Sequence, residues 1–121
     1  MSGSKRKGAK MVKVKDIIDA LNLKVSAGAA GVDKEVSGCY IGDLLSLAMS
    51  SLKENNIWIT IQTNVNIVAV SVLSEGACVI LCDGQEPDDT AKKKADAEDV
   101  PILSTEKSAY EVASELTRLG I

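Results

Sequence analysis

Three short polar stretches each follow an apolar run in this chain of 121 residues: Gln62-Thr63-Asn64, Asp83-Gly84-Gln85-Glu86 and Ser104-Thr105-Glu106. Their amides, hydroxyls and carboxylates are suited to hydrogen-bonding a polar ligand, and the same residue types also build ordinary turns and helix caps. What they lack is a proton shuttle for neutral pH. The chain has no histidine, so an acid or base would need a carboxylate or thiol of strongly displaced pKa. A transferase or hydrolase would have to work through Asp83 and Asp43. The patterns G-x-x-x-x-G-K-[ST], G-x-G-x-x-G and G-x-S-x-G are also missing, which removes the phosphate-cradling loop and the nucleophile elbow. Binding suits these residues better than catalysis, and no catalytic residue or cofactor is assigned.

The cysteines point the same way. Cys78 and Cys82 sit inside the apolar run Ala77-Cys78-Val79-Ile80-Leu81-Cys82, where thiols act as small hydrophobes. With Cys39 they make an odd number in a chain without an export signal, so all three read as reduced. A metal site on Cys78 and Cys82 would need more donors than Cys39 and carboxylates supply, and none is expected.

Charge narrows the partners. The formal net charge is −3, yet Lys5, Arg6, Lys7 and Lys10 all lie in the first ten residues. Without those four, 10 basic residues face 17 acidic ones, a balance of −7. A body this acidic repels phosphate backbones, so nucleic acid is not expected as a partner. Residues 1–10, MSGSKRKGAK, read as a disordered, solvated basic arm or a cloning remnant. No apolar segment approaches a bilayer's thickness, and a cytoplasmic location is expected.

The elements that must position the polar stretches alternate. Residues 11–121 read as a single domain. Val14, Ile17, Ile18 and Leu21 recur at helical spacing before Asn22, and a strand over Leu23 to Ala27 ends at Gly28-Ala29-Ala30-Gly31. A second helix is expected from the stripe Ile41, Leu44, Leu45, Ala48 and Leu52, ending near Asn55-Asn56. Its entry, Gly38-Cys39-Tyr40-Ile41-Gly42, holds two glycines around a bulky pair, which lets the backbone bend or approach something closely. Trp58 to Gln62 reads as a strand. Ile67 to Leu73 fits a strand by its β-branched residues, or a helix capped by Asn64 or Asn66. The crossover that parallel strands require decides for the helix.

Ala77 to Cys82 is apolar throughout, as befits a central strand covered on both faces. Pro87 is expected to open the next helix, with Asp88 and Asp89 at its positive end and its last turn near Ala97. Val100-Pro101-Ile102-Leu103 reads as a short strand, and Ser108-x-x-Glu111 is the capping box of a last helix that stops at Gly120. The fold class is therefore α/β, three-layer α/β/α with a mostly parallel sheet. Ligands of such sheets bind beyond the carboxyl ends of the strands, where all three polar stretches fall.

Two runs, Val36 to Ser46 and Trp58 to Val70, resemble small stand-alone bacterial proteins of the DRTGG-domain family. Ile80-Leu81-Cys82-Asp83-Gly84-Gln85-Glu86-Pro87 and Val100 to Thr105 resemble that family's "strand, Gly-Gly-x-x-Pro, helix, strand" continuation. The likeness spans about residues 11 to 121. Related domains form the amino-terminal part of HPr kinase/phosphorylase and accompany CBS domains in some regulated pyrophosphatases. The resemblance implies an accessory domain, similar in fold to the HPr kinase amino-terminal domain, that pairs as a homodimer and leaves chemistry to a neighbour. The kinase label does not transfer, because the P-loop is absent. The letters Asp-Arg-Thr-Gly-Gly are also absent, their places taken by Thr63-Asn64-Val65-Asn66 and Asp83-Gly84. With no Arg at either place, an anionic ligand would rely on backbone and side-chain amides.

The expected function is thus a non-catalytic regulatory module that forms a homodimer and binds a partner protein, or alternatively senses a nucleotide or other small polar metabolite. The expected ligand rim is Thr63, Asn64, Asn66, Asp83, Gly84, Gln85 and Thr105. For the homodimer interface, Tyr40, Ile41, Ile67 and Val70 are the candidates, since their segments carry more apolar surface than one core face needs.

Overall fold

The computed structural model describes residues 12–121, and the basic arm lies outside the described residues. Helix α1 (Val14–Leu21) buries Val14, Ile17 and Leu21 and stops at Asn22, which takes the left-handed conformation open to Asn at a helix end. Strand β1 (Lys24–Ala27) follows, then a 3-10 turn (Ala29–Gly31). The turn packs tightly, for a Cβ at Gly28 would lie 1.9 Å from the Val100 carbonyl oxygen, where φ is also +70°. Next come β2 (Gly38–Ile41), α2 (Leu45–Ser51), β3 (Asn56–Thr60), α3 (Asn66–Leu73), β4 (Cys78–Leu81), α4 (Asp89–Glu98), β5 (Ile102–Ser104) and α5 (Ala109–Arg118).

The sheet order is β1-β5-β4-β3-β2. Strands β2 to β5 are parallel, and β1 joins β5 antiparallel with a register shift between Val25 and Ala27. Parallel register lines the side chains up in rows. Trp58, Val79 and Ile102 face one side, where they pack with Ala48 and Leu52, Ile67, Val68 and Val70 of α3, and Ala95 of α4. Ile57, Ile59, Cys78, Ile80 and Leu103 face the other, against Val14, Ile17 and Leu21 of α1 and Val112 and Leu116 of α5. This is the expected three-layer α/β/α arrangement. Both faces being covered explains why every residue of β3 and β4 is buried and why their sequences lack a clean polar alternation.

Five expected boundaries shift, one of them the end of α2, which stops at Ser51 instead of near Asn55-Asn56. Gly38–Ile41, read as a helix entry, is a strand, and α2 begins only at Leu45. Of the expected stripe only Ala48 and Leu52 are buried, while Ile41 and Leu44 are exposed. A four-residue edge strand followed by a turn leaves the same three-to-four-residue apolar spacing as a helix, so the periodicity could not separate them. Pro87 precedes the helix instead of opening it, because Asp88 is the cap and accepts from the Ala91 amide at 2.8 Å. Strand β3 stops at Thr60, short of Gln62, and β5 begins at Ile102, two residues after Val100.

Trp58 is the largest fully buried side chain, and its indole N–H donates to the Gly42 carbonyl at 2.8 Å. Trp58→Ala is expected to cost about 3–5 kcal/mol in urea unfolding followed by circular dichroism. Trp58→Phe, which keeps most of the packing and removes the hydrogen bond, should cost about 1 kcal/mol for that bond, plus any loss of packing.

Candidate functional site

Because β2 to β5 run parallel, their carboxyl ends meet on one rim, and the antiparallel β1 delivers its first residue there as well, Lys24 standing opposite Ser104. Two hydrogen-bonded groups divide this rim.

The first group lies at β2 and β3. Asp43 Oδ1 accepts from the Thr60 hydroxyl at 2.8 Å and from the Ile61 amide at 3.0 Å. Gln62 Nε2 donates to the Asp43 carbonyl, and Gln62 Oε1 accepts from Asn64 Nδ2 at 3.1 Å. Asn64 Oδ1 in turn accepts from the Asn66 amide at 2.9 Å, closing the first turn of α3. The expected residues Thr63, Asn64 and Asn66 therefore shape the β3–α3 loop, and much of their capacity is used within it. The same holds for Asp43, whose Oδ1 serves the loop.

The second group surrounds an open cleft of about 420 Å³ at β4, β5 and β1. Gly84 and Thr105, both expected, line it together with Lys24, Glu86, Ser104, Glu106 and Lys107. Asp83 and Gly84 have φ of 57° and 76°, and the Gln85 amide donates to the Cys82 carbonyl at 3.1 Å. Two positive φ angles make this a type I′ turn, the conformation that Asp-Gly favours. The turn is pinned to the next loop, for the Asp83 amide donates to the Lys107 carbonyl and the Gly84 amide to the Thr105 carbonyl, both at 2.9 Å. A Cβ at Gly84 would come within 2.8 Å of Glu106 Oε1, so glycine lets that carboxylate lie over the turn. Asp83 and Gln85 are exposed beside the cleft.

The cleft floor has a fixed donor order. Ser26 donates its one proton to Glu86 Oε1 at 2.9 Å, so the 2.7 Å contact between Ser26 and Ser104 takes its proton from Ser104. The buried Ser104 Oγ is left as an acceptor. Lys24 Nζ donates to Glu86 Oε2 at 3.1 Å. Burial raises the Glu86 pKa, but the hydrogen bonds from Lys24 and Ser26, with the charges of Lys24 and Lys92, outweigh it and hold the carboxyl below its usual range. Lys107 is occupied by the Leu21 carbonyl and Glu115. Sequence reasoning missed Lys24 and Ser26, because strand direction carries no local signal and β1 was not known to run backwards.

The thiols supply no nucleophile. Burial, with Asp83 and Asp43 adding to it, pushes Cys82 up to about 11, and burial also raises Cys78. Cys39 reaches the surface in part, yet burial of its thiol, with Cys82 adding to it, raises it to about 12. All three stay protonated at neutral pH. No cluster of three or more His, Cys, Asp or Glu suited to a metal occurs among the described residues. No described helix is long and apolar enough to cross a membrane.

Of the expected interface residues, Ile41 is exposed and Tyr40 half-buried, but Ile67 and Val70 are buried within the domain. Ile67 and Val70 turn towards the sheet, and the large exposed apolar residues of α3 are Val72 and Leu73 instead.

A parallel sheet between two helical layers, with polar residues gathered at one rim, defines a domain of the α/β/α class. Residues 16–119 match the DRTGG domain model, and the chain belongs to the DRTGG family, whose domains are regulatory. Among curated proteins none matches the sequence. Among solved structures, the chain is similar to the CBS and DRTGG domains of the regulatory region of Clostridium perfringens pyrophosphatase, complexed with its activator diadenosine tetraphosphate. The TM-score is 0.67 at 12% identity, over 85% of this chain and 45% of that one, a likeness of fold. This chain thus spans less than half of that regulatory structure.

Lowering the pH should test the Glu86 contacts. A carboxyl held low stabilises the fold above its unfolded pKa, and that contribution is lost as pH falls through the folded value. The Glu86 carboxyl is expected to titrate below the ordinary Glu value in an NMR titration, and Lys24→Ala should move its midpoint upward.

Proposed function

We propose that this DRTGG domain is a non-catalytic regulatory module that receives a small polar ligand in the β4–β5–β1 cleft and works as a homodimer. The observation that carries the ligand reading is the cleft floor, where Ser104 Oγ and the Glu106 carboxylate offer acceptors and Lys24 a cation around a volume within the usual range for small-molecule sites. Because Lys107 is taken up by Glu115, Lys24 alone faces the carboxylates of Glu86 and Glu106, and the cleft suits a ligand carrying hydrogen-bond donors better than a bare polyphosphate. That the similar pyrophosphatase region takes a nucleotide activator supports a metabolite as the ligand class. The protonated thiols and the engaged Asp43 support the absence of catalysis. A cytoplasmic setting accords with three free thiols. The pairing reading draws support from the apolar residues left exposed near β2.

The test is an NMR titration of the full chain with AMP, ATP, diadenosine tetraphosphate and a panel of amino acids. Saturable shifts at Gly84, Thr105 and Glu106 are expected for at least one compound, and Glu106→Gln with Lys24→Ala should weaken its binding by roughly tenfold or more. Shifts confined to Thr63–Asn66 would move the site to the other half of the rim. No shifts with any compound would leave a module that acts through protein contacts alone.

A further inference from the structure

The sheet has two edges, and they are built differently. Edge strand β1 carries Lys24 and a register shift, devices that discourage another strand from adding. Edge strand β2, Gly38-Cys39-Tyr40-Ile41, has no charge, no proline and no bulge in its pairing with β3. The apolar surface is concentrated beside it. Ile41, Leu44, Leu47, Met49 and Ile61 are between 45% and 63% exposed, and they make up half of the ten exposed large hydrophobic residues of the described chain. Ile41 lies on the α1–α5 side of the sheet, and α2, with Leu47 and Met49, flanks the other side, so the edge is apolar on both faces. Charge is scarce around it, for residues 44–52 and 55–74 contain no Asp, Glu, Lys or Arg.

We infer that the β2 edge is where two copies of this chain meet, β2 pairing antiparallel with its counterpart across a twofold axis and α2 packing alongside. This rests on the homodimeric reading above and says where that pair forms. A second copy fits for three reasons. A twofold axis brings the same patch to itself, so an uncharged patch meets no like charge. Two β2 edges satisfy each other's free backbone groups, which a helical partner would leave unpaired. Continued growth by joining β2 to β1 of the next copy is opposed by Lys24 and the irregular register, so the assembly closes at two. The competing occupant is the chain's own amino-terminal segment, which leads in beside Val36, whose amide donates to the Val12 carbonyl at 2.8 Å. Residues 2–10 are Ser, Gly, Lys, Arg and Ala, and they bring no large apolar side chain to cover Leu44, Leu47 and Met49.

The experiment is the mass of the full chain in solution by sedimentation equilibrium, alongside Ile41→Lys, Leu47→Glu and, as a distant control, Tyr110→Lys on α5. The wild type and the control should show twice the chain mass. Each edge variant should weaken pairing by roughly 100-fold or more, as burying an unpaired charge does. Its circular dichroism should stay unchanged, since both side chains are exposed. A wild type of single mass, or edge variants that still pair, would overturn the inference. If that monomer also showed slow hydrogen exchange at Cys39–Ile41, the edge would belong to the arm. A wild type of single mass sinks the homodimeric reading together with the inference, whereas edge variants that still pair sink the inference alone and leave the homodimer standing.

Discussion

Parallel pairing of β3 and β4 constrains everything else in this domain. Two parallel neighbours cannot be joined by a hairpin, so α2, α3 and α4 each climb back over one side of the sheet, while α1 and α5 cover the other and both faces are buried. Ile57, Trp58, Ile59 and Ile80 have no accessible surface as a result. The same constraint sends every carboxyl end of β2 to β5 to one rim. The polar residues there sit next to a rigid, fully buried sheet, and that rigidity is what allows a few hydrogen bonds to hold a rim in place.

Along the rim, each loop is fastened to the next. Asp43 ties the loop after β2 to Thr60 and Ile61, the Asp88 amide donates to the Thr63 carbonyl at 3.0 Å, and the Asp83-Gly84 turn is bonded to Thr105 and Lys107. The half at β2 and β3 spends much of its polarity on this fastening. The half at β4, β5 and β1 keeps some in reserve around an open cleft. The same residue types thus serve support in one place and reception in the other, and hydrogen-bond accounting separates the two.

Much of the fold was legible in the residues. The period of α1, the capping box of Ser108 and Glu111, the crossover requirement that made Asn66–Leu73 a helix, and the apolar run of β4 all carried local signals that the tertiary structure respects. The edge strand β2 was missed because its four residues plus a turn imitate a helical stripe. The receiving half of the site was legible only in part. Gly84 and Thr105 follow parallel strands and could be placed, whereas Lys24 and Ser26 reach the rim because β1 runs backwards, a fact set by a partner strand 78 residues away in sequence. Ile67 and Val70 went astray for a related reason: α3 is apolar nearly all round, so composition alone could not say which side faces the sheet.

The position of β1 also bears on how the chain is made. The first strand in sequence pairs only with the last, and Lys107 reaches back 86 residues to the Leu21 carbonyl. During synthesis β1 has no neighbour to pair with until β5 has left the ribosome. Sequence-distant pairing of this kind slows folding and keeps apolar surface uncovered for longer. For the nascent chain, most of the length up to β5 is a waiting period, and without β5 the first strand has no place in the sheet.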